Sequence, residues 1–582
     1  MALWQFRRKK QYLLIMASFI IMSFGFAITS YAQYNALYSD AEIPTHIQQI
    51  INPSDPGAGG NRGILSKKGF LDKQAVSEIY EQRSFKPIWV GRKKNMQKSQ
   101  EILDVLEASW AHGLNPDNYH VSLIRELIAN PSVDKAQLEL IITDAVMRYG
   151  HDVTGMRINP SSIAQKQEYW RESLNGKAVM EKVLSSHNPA KALAQLAPNT
   201  RLYNALKEEL VRLSSEENSY DHILPLRFGG DHHFAPGERH RDVKSLRIRL
   251  GMPEGESSAY DDDTAAAVMS FQRKHGLETD GIIGPQTLAV LNRTNKDKME
   301  QVIANLERLR WLDQNKPEKY IVVNIPQQLL WAVNQGDVEH EMKVVVGQPR
   351  RKTKEFKTEV TGVRLNPTWT VPLRLKMEDF LPKLLDNPDY LTNKRINVIR
   401  GVGSNAEYLD PHDIEWSDVD RSEMNQLRFV QSPGSNNALG QVRILMPNQY
   451  NIYMHDTNHP EYFERDQRTY SSGCIRLSEP QKLAHFVMDG TEGWSEQKMQ
   501  NIIASGKRTD ISIDESFPVY IIYQSIWLDQ QNRIVYGSDV YKRDQSLIKV
   551  LANIDGYLLP DASDTRFASL VGDSKTSLAY NK

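Results

Sequence analysis

The hydrophobic pattern of this chain changes period at Lys319, and that change limits the fold more than any other feature. N-terminal to it, apolar residues recur at helical spacing: Ile102, Leu103, Val105 and Leu106, then Leu138, Leu140, Ile141, Ile142, Ala145 and Val146. Such recurrence lays one stripe of a helix against a core. From Lys319 the apolar residues come in short β-branched or aromatic runs bounded by Gly, Pro and Asn: "YIVVNIPQQLLWAV", "MKVVVG", "GVRLNPTWTVP", "QVRILMP" and "NIYMHD". These read as strands. The 582 residues also exceed what one core usually holds, so a multidomain α+β fold is expected.

Local composition divides the chain further. Residues 33–63 hold Pro53-Ser54-Asp55-Pro56-Gly57-Ala58-Gly59-Gly60 and are expected to be a flexible linker. Residues 64–237 read as a helical scaffold, with Tyr80, Phe85, Trp89, Trp110 and Trp170 as core aromatics. Residues 238–294 form a compact unit of three short helices, the third opened by Pro285 after the turn Gly281-Ile282-Ile283-Gly284. Residues 295–318, with Ile303, Leu306, Leu309 and Trp311, read as a helical connector. The strand-rich domain covers 319–548, and 549–582 is a polar tail. About residues 374–427 the strand pattern is broken by acidic, helix-like sequence. This insertion is either a surface excursion or a lid over a site, and its length favours a lid.

The N-terminus carries Arg7-Arg8-Lys9-Lys10, an apolar run from Tyr12 to Ile28, and Ser30-Tyr31-Ala32. This reads as a secretory signal peptide, residues 1–32, cleaved after Ala32, which places the chain outside the cytoplasm. Left uncleaved, the same segment would attach the chain to the inner membrane. The formal net charge is −1, which gives no reason to expect nucleic acid as a partner. The basic run Arg350-Arg351-Lys352 reads as solvated loop charge. Asp231-His232-His233 are adjacent on a loop and do not point at one ion, so no metal site is expected. No nucleotide-binding glycine motif appears, and no cofactor is expected.

Cys474 is the one cysteine, in Ser471-Ser472-Gly473-Cys474-Ile475-Arg476-Leu477. It cannot form an internal disulfide, which leaves a silent core position, an intermolecular bridge or a nucleophile. His455 lies nineteen residues upstream, in Tyr453-Met454-His455-Asp456-Thr457. An acyl-thioester mechanism needs a thiolate, a base to move its proton, and donors for an oxyanion. Cys474, His455 and the backbone around Gly473 are the residues of the right type.

Two resemblances sharpen this. "VKSLRIRLG" and "AVMSFQRKHGLETDGIIGPQTLAVL" resemble the peptidoglycan-binding domain family, which implies a cell-wall docking module. "YMHDTNHPEYFERDQRTYSSGCIRL" resembles the signature of the YkuD-like L,D-transpeptidase catalytic domain, with "NPTW" and "SPGSNNALGQVRI" in matching order. The helical region and the insertion further resemble the large multidomain L,D-transpeptidases of Gram-negative cell walls. The resemblance implies that Cys474 attacks the diamino acid carbonyl of a peptidoglycan tetrapeptide stem and releases D-Ala. A second stem, as acceptor, then takes the acyl group to give a 3→3 crosslink. It implies His455 as base and then acid, oriented by the backbone carbonyl of Asp456. It implies an oxyanion hole from the Gly473 and Cys474 amides with the Tyr453 side chain. Arg476 would hold a substrate carboxylate, Trp369 would line the groove, and a carbapenem would acylate the thiol. Some relatives carry His where this chain has Ser472, so no second imidazole is expected beside the thiol. Two other functions share parts of these features. One is a hydrolase with the same acyl-enzyme and water as acceptor; the other is a non-catalytic wall-binding protein.

Overall fold

The computed structural model describes residues 41–52, 71–130, 133–163, 170–215, 225–228, 233–253, 257–275 and 277–555. The expected signal segment 1–32, much of the expected linker, Asp231-His232 and the tail beyond residue 555 lie outside the described residues. Among the described residues no helix is long and apolar enough to cross a membrane.

The helical region is built around helix Lys135–Thr154, which is buried on nearly every side. Asp134 caps its first turn by accepting from the Ala136 and Gln137 amides. A carboxylate inside such a core needs partners. Glu139, fully buried, accepts from the amides of Ile88, Trp89 and Val90 and from the Tyr80 hydroxyl. The expected linker is corrected here: Ile43–Ile51 is a helix whose Ile43, Ile47 and Ile51 pack into this core. Apolar residues four apart make one buried face, and the glycine-rich stretch after it obscured that face in the sequence.

The small module has helices Val243–Arg249, Asp262–Lys274 and Pro285–Leu291. Its core extends upstream of the expected boundary at 238, because Leu226, Phe228 and Phe234 pack into it. Buried Gln272 pins the turn before the third helix: its amide donates to Asp280, the Ile282 carbonyl and Thr287, and its oxygen accepts from the Gly281 amide.

The connector is more than a link. Helix Asn295–Arg310 starts with a capping box between Thr294 and Asp297 and is buried along most of its length. Toward the helical region, Arg310 bonds Glu307 and the His112 carbonyl, and Arg157 bonds Glu307 at 2.9 Å. Toward the strand domain, Asn305 and Gln301 bond Ser525, and Arg308 pairs with Asp544. Asp544 belongs to helix Arg543–Asp555, which runs through the expected start of the tail at 549 and buries Leu551. The tail boundary therefore lies beyond this helix.

The strand domain is a closed sheet. Its strands are β1 (Lys319–Asn324), β2 (Leu329–Asn334), β3 (Asp337–Gly347) and β4 (Phe356–Leu365). After the insertion come β9 (Val442–Leu445), β10 (Met454–His455), β11 (Thr469–Ser471), β12 (Ile475–Leu477) and β13 (Thr509–Ile522). The order is β11-β3-β12-β10-β9-β4-β13-β1-β2. Long β3 pairs with β2 along its first part and with β12 at Val344–Val345, and this double pairing closes the ring. Helix Pro480–Met488 packs Leu483, Phe486 and Val487 onto the core. After β13 a hairpin pairs β14 (Ile526–Leu528) with β15 (Ile534–Tyr536).

The insertion is not simply helical. It has its own sheet from β5 (Trp369–Thr370), β6 (Ile396–Arg400), β7 (Glu407–Leu409) and β8 (Leu427–Gln431), ordered β5-β8-β6-β7. Phe380, Leu391, Val398, Trp416 and Phe429 form its separate core. "INVIR" and "LRFVQ" are short alternating runs, and the acidic helices between them masked the period.

Candidate active site

The site lies on the outer face of the closed sheet, where β9, β10 and β12 run side by side. Met454 pairs with Ile475, and both are fully buried in the core. Side chains alternate along a strand, so Tyr453, His455, Cys474 and Arg476 fall on the opposite face. The register builds a row across five strands: Arg476 beside His455, His455 beside Arg443, Arg443 beside Arg364, and Arg364 beside Asp510. The Tyr453 carbonyl accepts from the Ile475 amide at 3.0 Å, which fixes Cys474 next to Tyr453.

His455 is 4 % exposed. Its Nδ1 is bonded to the backbone carbonyl of Asp456. A carbonyl only accepts, so Nδ1 carries the proton and Nε2 is the basic nitrogen. Burial, with the cations Arg476 and Arg443 nearby, lowers the imidazole pKa to about 3. The Asp456 side chain is engaged elsewhere, accepting from the Gln441 and Thr457 amides at 2.8 and 2.7 Å. Gly440 permits this, for it has φ +60° and a Cβ there would stand 2.2 Å from the Asp456 carboxyl carbon.

Cys474 is half-buried. Burial raises its thiol pKa, against the Tyr453 amide and hydroxyl and the charges of Arg443 and Arg476, which favour the thiolate. The Tyr453 hydroxyl is within hydrogen-bond reach of both the thiol and the Trp369 indole, and burial holds its own pKa well above the usual value. The loop before the cysteine is tied from within: Ser471 Oγ donates to the Cys474 carbonyl at 2.5 Å and accepts from the Gly473 amide at 3.1 Å. The Gly473 amide, expected as an oxyanion donor, is thus engaged by Ser471 in this structure. The Cys474 amide makes no hydrogen bond among the described residues. Gly473 has φ +122°, a conformation other residues rarely adopt, and Thr353 Oγ1 donates to its carbonyl at 2.9 Å.

The remaining expected residues divide. Trp369 sits at the seam, on β5 of the insertion, beside Phe380 and reaching Tyr453. Ser472 is exposed, and its hydroxyl accepts from Arg351 Nη1 at 3.1 Å. Arg476 donates to Thr457 Oγ1 at 3.3 Å, and its Nε is buried without a hydrogen-bond partner. No carboxylate lies within salt-bridge distance of Arg476 among the described residues.

Two residues were missed. Arg351, expected as solvated charge, is 4 % exposed and forks onto Asp379 at 2.5 and 2.6 Å and onto Glu378 at 2.6 Å. It ties the insertion to the loop before Cys474. Arg443 stacks on the Tyr453 ring with its guanidinium carbon 3.9 Å from the centroid. The signal for it was present: Arg443 and Arg476 follow the same alternation as His455, which only the register reveals.

Residues 318–503 match the family model described as the L,D-transpeptidase catalytic domain (YkuD). Residues 242–291 match the model named "Putative peptidoglycan binding domain", and residues 74–210 match a model named "Scaffold domain". A Haemophilus influenzae protein named "Putative L,D-transpeptidase" is 32 % identical over 267 residues, which are 45 % of this chain and 52 % of that protein. The chain thus spans about half the length of that curated relative. Among solved structures, an L,D-transpeptidase from Stackebrandtia nassauensis is 12 % identical, with TM-score 0.19, over 52 % of this chain and 97 % of that one. An L,D-transpeptidase from Mycobacterium smegmatis is 12 % identical, with TM-score 0.18, over 35 % and 58 %. A third, an L,D-transpeptidase in complex with imipenem, is 11 % identical, with TM-score 0.16, over 35 % and 59 %.

Proposed function

We propose that this chain is a periplasmic peptidoglycan L,D-transpeptidase that forms 3→3 crosslinks through a Cys474 thioester. The observation that carries the reading is the pairing of β10 with β12, which sets His455, Tyr453 and Cys474 on one face of a domain that matches the L,D-transpeptidase model.

The chemistry starts from a neutral pair. With the His455 pKa near 3 and the thiol pKa raised, neither group is ionised at pH 7. As the Cys474 sulfur attacks the diamino acid carbonyl of the donor stem, Nε2 of His455 takes the thiol proton. The carbonyl oxygen becomes an oxyanion, held by the Cys474 amide and the Tyr453 hydroxyl. The C–N bond to D-Ala then breaks, and His455 returns the proton to the leaving amine. In the second half the acceptor's side-chain amine attacks the thioester and gives a proton to His455, and the thiol is regenerated. Nδ1–H keeps its bond to the Asp456 carbonyl throughout, so the ring does not turn between steps. Arg476 holds a donor carboxylate, and the small module docks the chain on the wall. The same thiol would be acylated by a carbapenem, whose strained lactam carbonyl replaces the peptide's.

The test is incubation of the full chain with purified disaccharide-tetrapeptide, with products read by mass. The expected product is a dimer short of one D-Ala, absent with Cys474→Ala. Tripeptide alone would mean hydrolysis, and no change with an unacylated thiol would refute the reading. Intact mass after carbapenem treatment should rise by one adduct in the wild type and none in Cys474→Ala.

A further inference from the structure

The face that carries the thiol holds more positive charge than the chain balances. Three arginines stand in one cross-strand row with His455, and like charges side by side repel. Arg364 is balanced, because it forks onto Asp510 at 2.7 and 2.6 Å. Arg443 and Arg476, the two that flank His455, have no carboxylate within salt-bridge distance among the described residues. The nearby acids are already taken: Asp510 by Arg364, and Glu461 by His459 at 2.9 Å. The Nε of each flanking arginine is buried without a hydrogen-bond partner. The Nη atoms of these arginines are not buried in that way, and a carboxylate from outside the chain would pair with them and balance the charge.

Arg443 is placed for such a ligand. Its guanidinium carbon stands over the Tyr453 ring, 3.9 Å from the centroid, and the ring's hydroxyl reaches the thiol. The cation–π contact holds the guanidinium beside the thiol, where its Nη atoms can meet a planar acceptor. Arg476 stands on the other side of His455.

We propose that Arg443 is a second carboxylate-binding residue, so that the site takes an acyl donor held through two carboxylates, one at Arg476 and one at Arg443. This rests on the transpeptidase reading above. It narrows the substrate class to stems that carry both carboxylates free, and a stem with the matching carboxylate amidated is a poor donor.

The experiment measures kcat/KM for D-Ala release by the full chain. The donors are the disaccharide-tetrapeptide with all carboxylates free and three forms amidated singly: at the diamino acid, at the D-Glu α-carboxylate and at the terminal D-Ala. Arg443→Gln should lose about tenfold to a hundredfold on the free donor, the range for one charge-assisted hydrogen-bonded pair. One amidated donor should show a similar loss with the wild type and no further loss with Arg443→Gln. Arg476→Gln should lose sensitivity to a different amidation and keep that one. The Arg476→Gln and wild-type series decide the matter even if Arg443→Gln does not fold. An equal loss with Arg443→Gln on every donor would mean that Arg443 only supports Tyr453, and would overturn the proposal. So would a wild type sensitive to a single amidation. A wild type that releases no D-Ala from any donor would overturn the transpeptidase reading along with it.

Discussion

Acidification should unfold this protein partly through His455, and the size of the effect follows from the imidazole's surroundings. The ring is 4 % exposed and its folded pKa is about 3, against about 6.5 for a histidine in an unfolded chain. A base with a depressed folded pKa binds its proton first in the unfolded state. Its contribution to stability is therefore full above pH 6.5, falls as the pH drops from 6.5 toward 3, and is gone below that. At about 1.4 kcal/mol per unit, the whole window is worth about 5 kcal/mol, of which about 2 kcal/mol is lost between pH 7 and pH 5. The assay is urea denaturation followed by near-ultraviolet circular dichroism, for the wild type and His455→Gln, at pH 7 and pH 5. Other buried titrating groups, such as Asp544 with its pKa raised to about 6, are common to both proteins and cancel in the difference. The wild type should lose about 2 kcal/mol more than the variant over that interval. In NMR spectra the His455 ring should stay neutral down to about pH 4. Parallel losses in the two proteins, or a ring that titrates near pH 6, would refute the reasoning.

Tyr453→Phe removes the hydroxyl that lies between the thiol and Trp369. We expect kcat for D-Ala release to fall about a hundredfold with KM within a few-fold, the pattern of a group used mainly in the transition state. Gly440→Ala forces a Cβ against the Asp456 carboxyl at 2.2 Å and places alanine at φ +60°. Thermal denaturation should show a loss of more than about 1 kcal/mol, and kcat should fall as well, because a displaced Asp456 shifts the carbonyl that holds His455.

The sequence was most legible where chemistry and period are local. The change at Lys319 marks the start of β1, and Cys474 and His455, singled out by residue type, fall on one face of the sheet. The insertion's sheet was harder, because β6 and β8 are five residues each and lie among acidic helices. The connector helix reads in sequence only as a link, because its burial depends on Arg308 and Arg310 meeting Asp544 and Glu307. Arg351 was misread for the same reason: adjacent Arg350 and Lys352 are exposed, and only the partners Asp379 and Ser472 mark Arg351 apart. The engaged Gly473 amide could not be foreseen either, because it depends on how Ser471 folds back over two residues. In each case the missing information is which groups meet in space, and local spacing does not encode it.

On the proposed reading, that same register would couple substrate binding to basicity. Arg476 and Arg443 both lower the His455 pKa, with Arg476 the larger of the two. Their charges disfavour an imidazolium beside them, so the empty site holds a poor base. A donor carboxylate on either guanidinium would offset that repulsion, and two would offset more. His455 would then gain proton affinity when a donor is seated across it. Burial is the larger cause of the depressed pKa and would remain, so the imidazolium would form only when the thiol proton must go somewhere. On this argument the two unpaired arginines serve as more than anchors. They add to the burial that keeps His455 neutral, and on the proposed reading a doubly anionic stem would lift that part of the restraint when it binds.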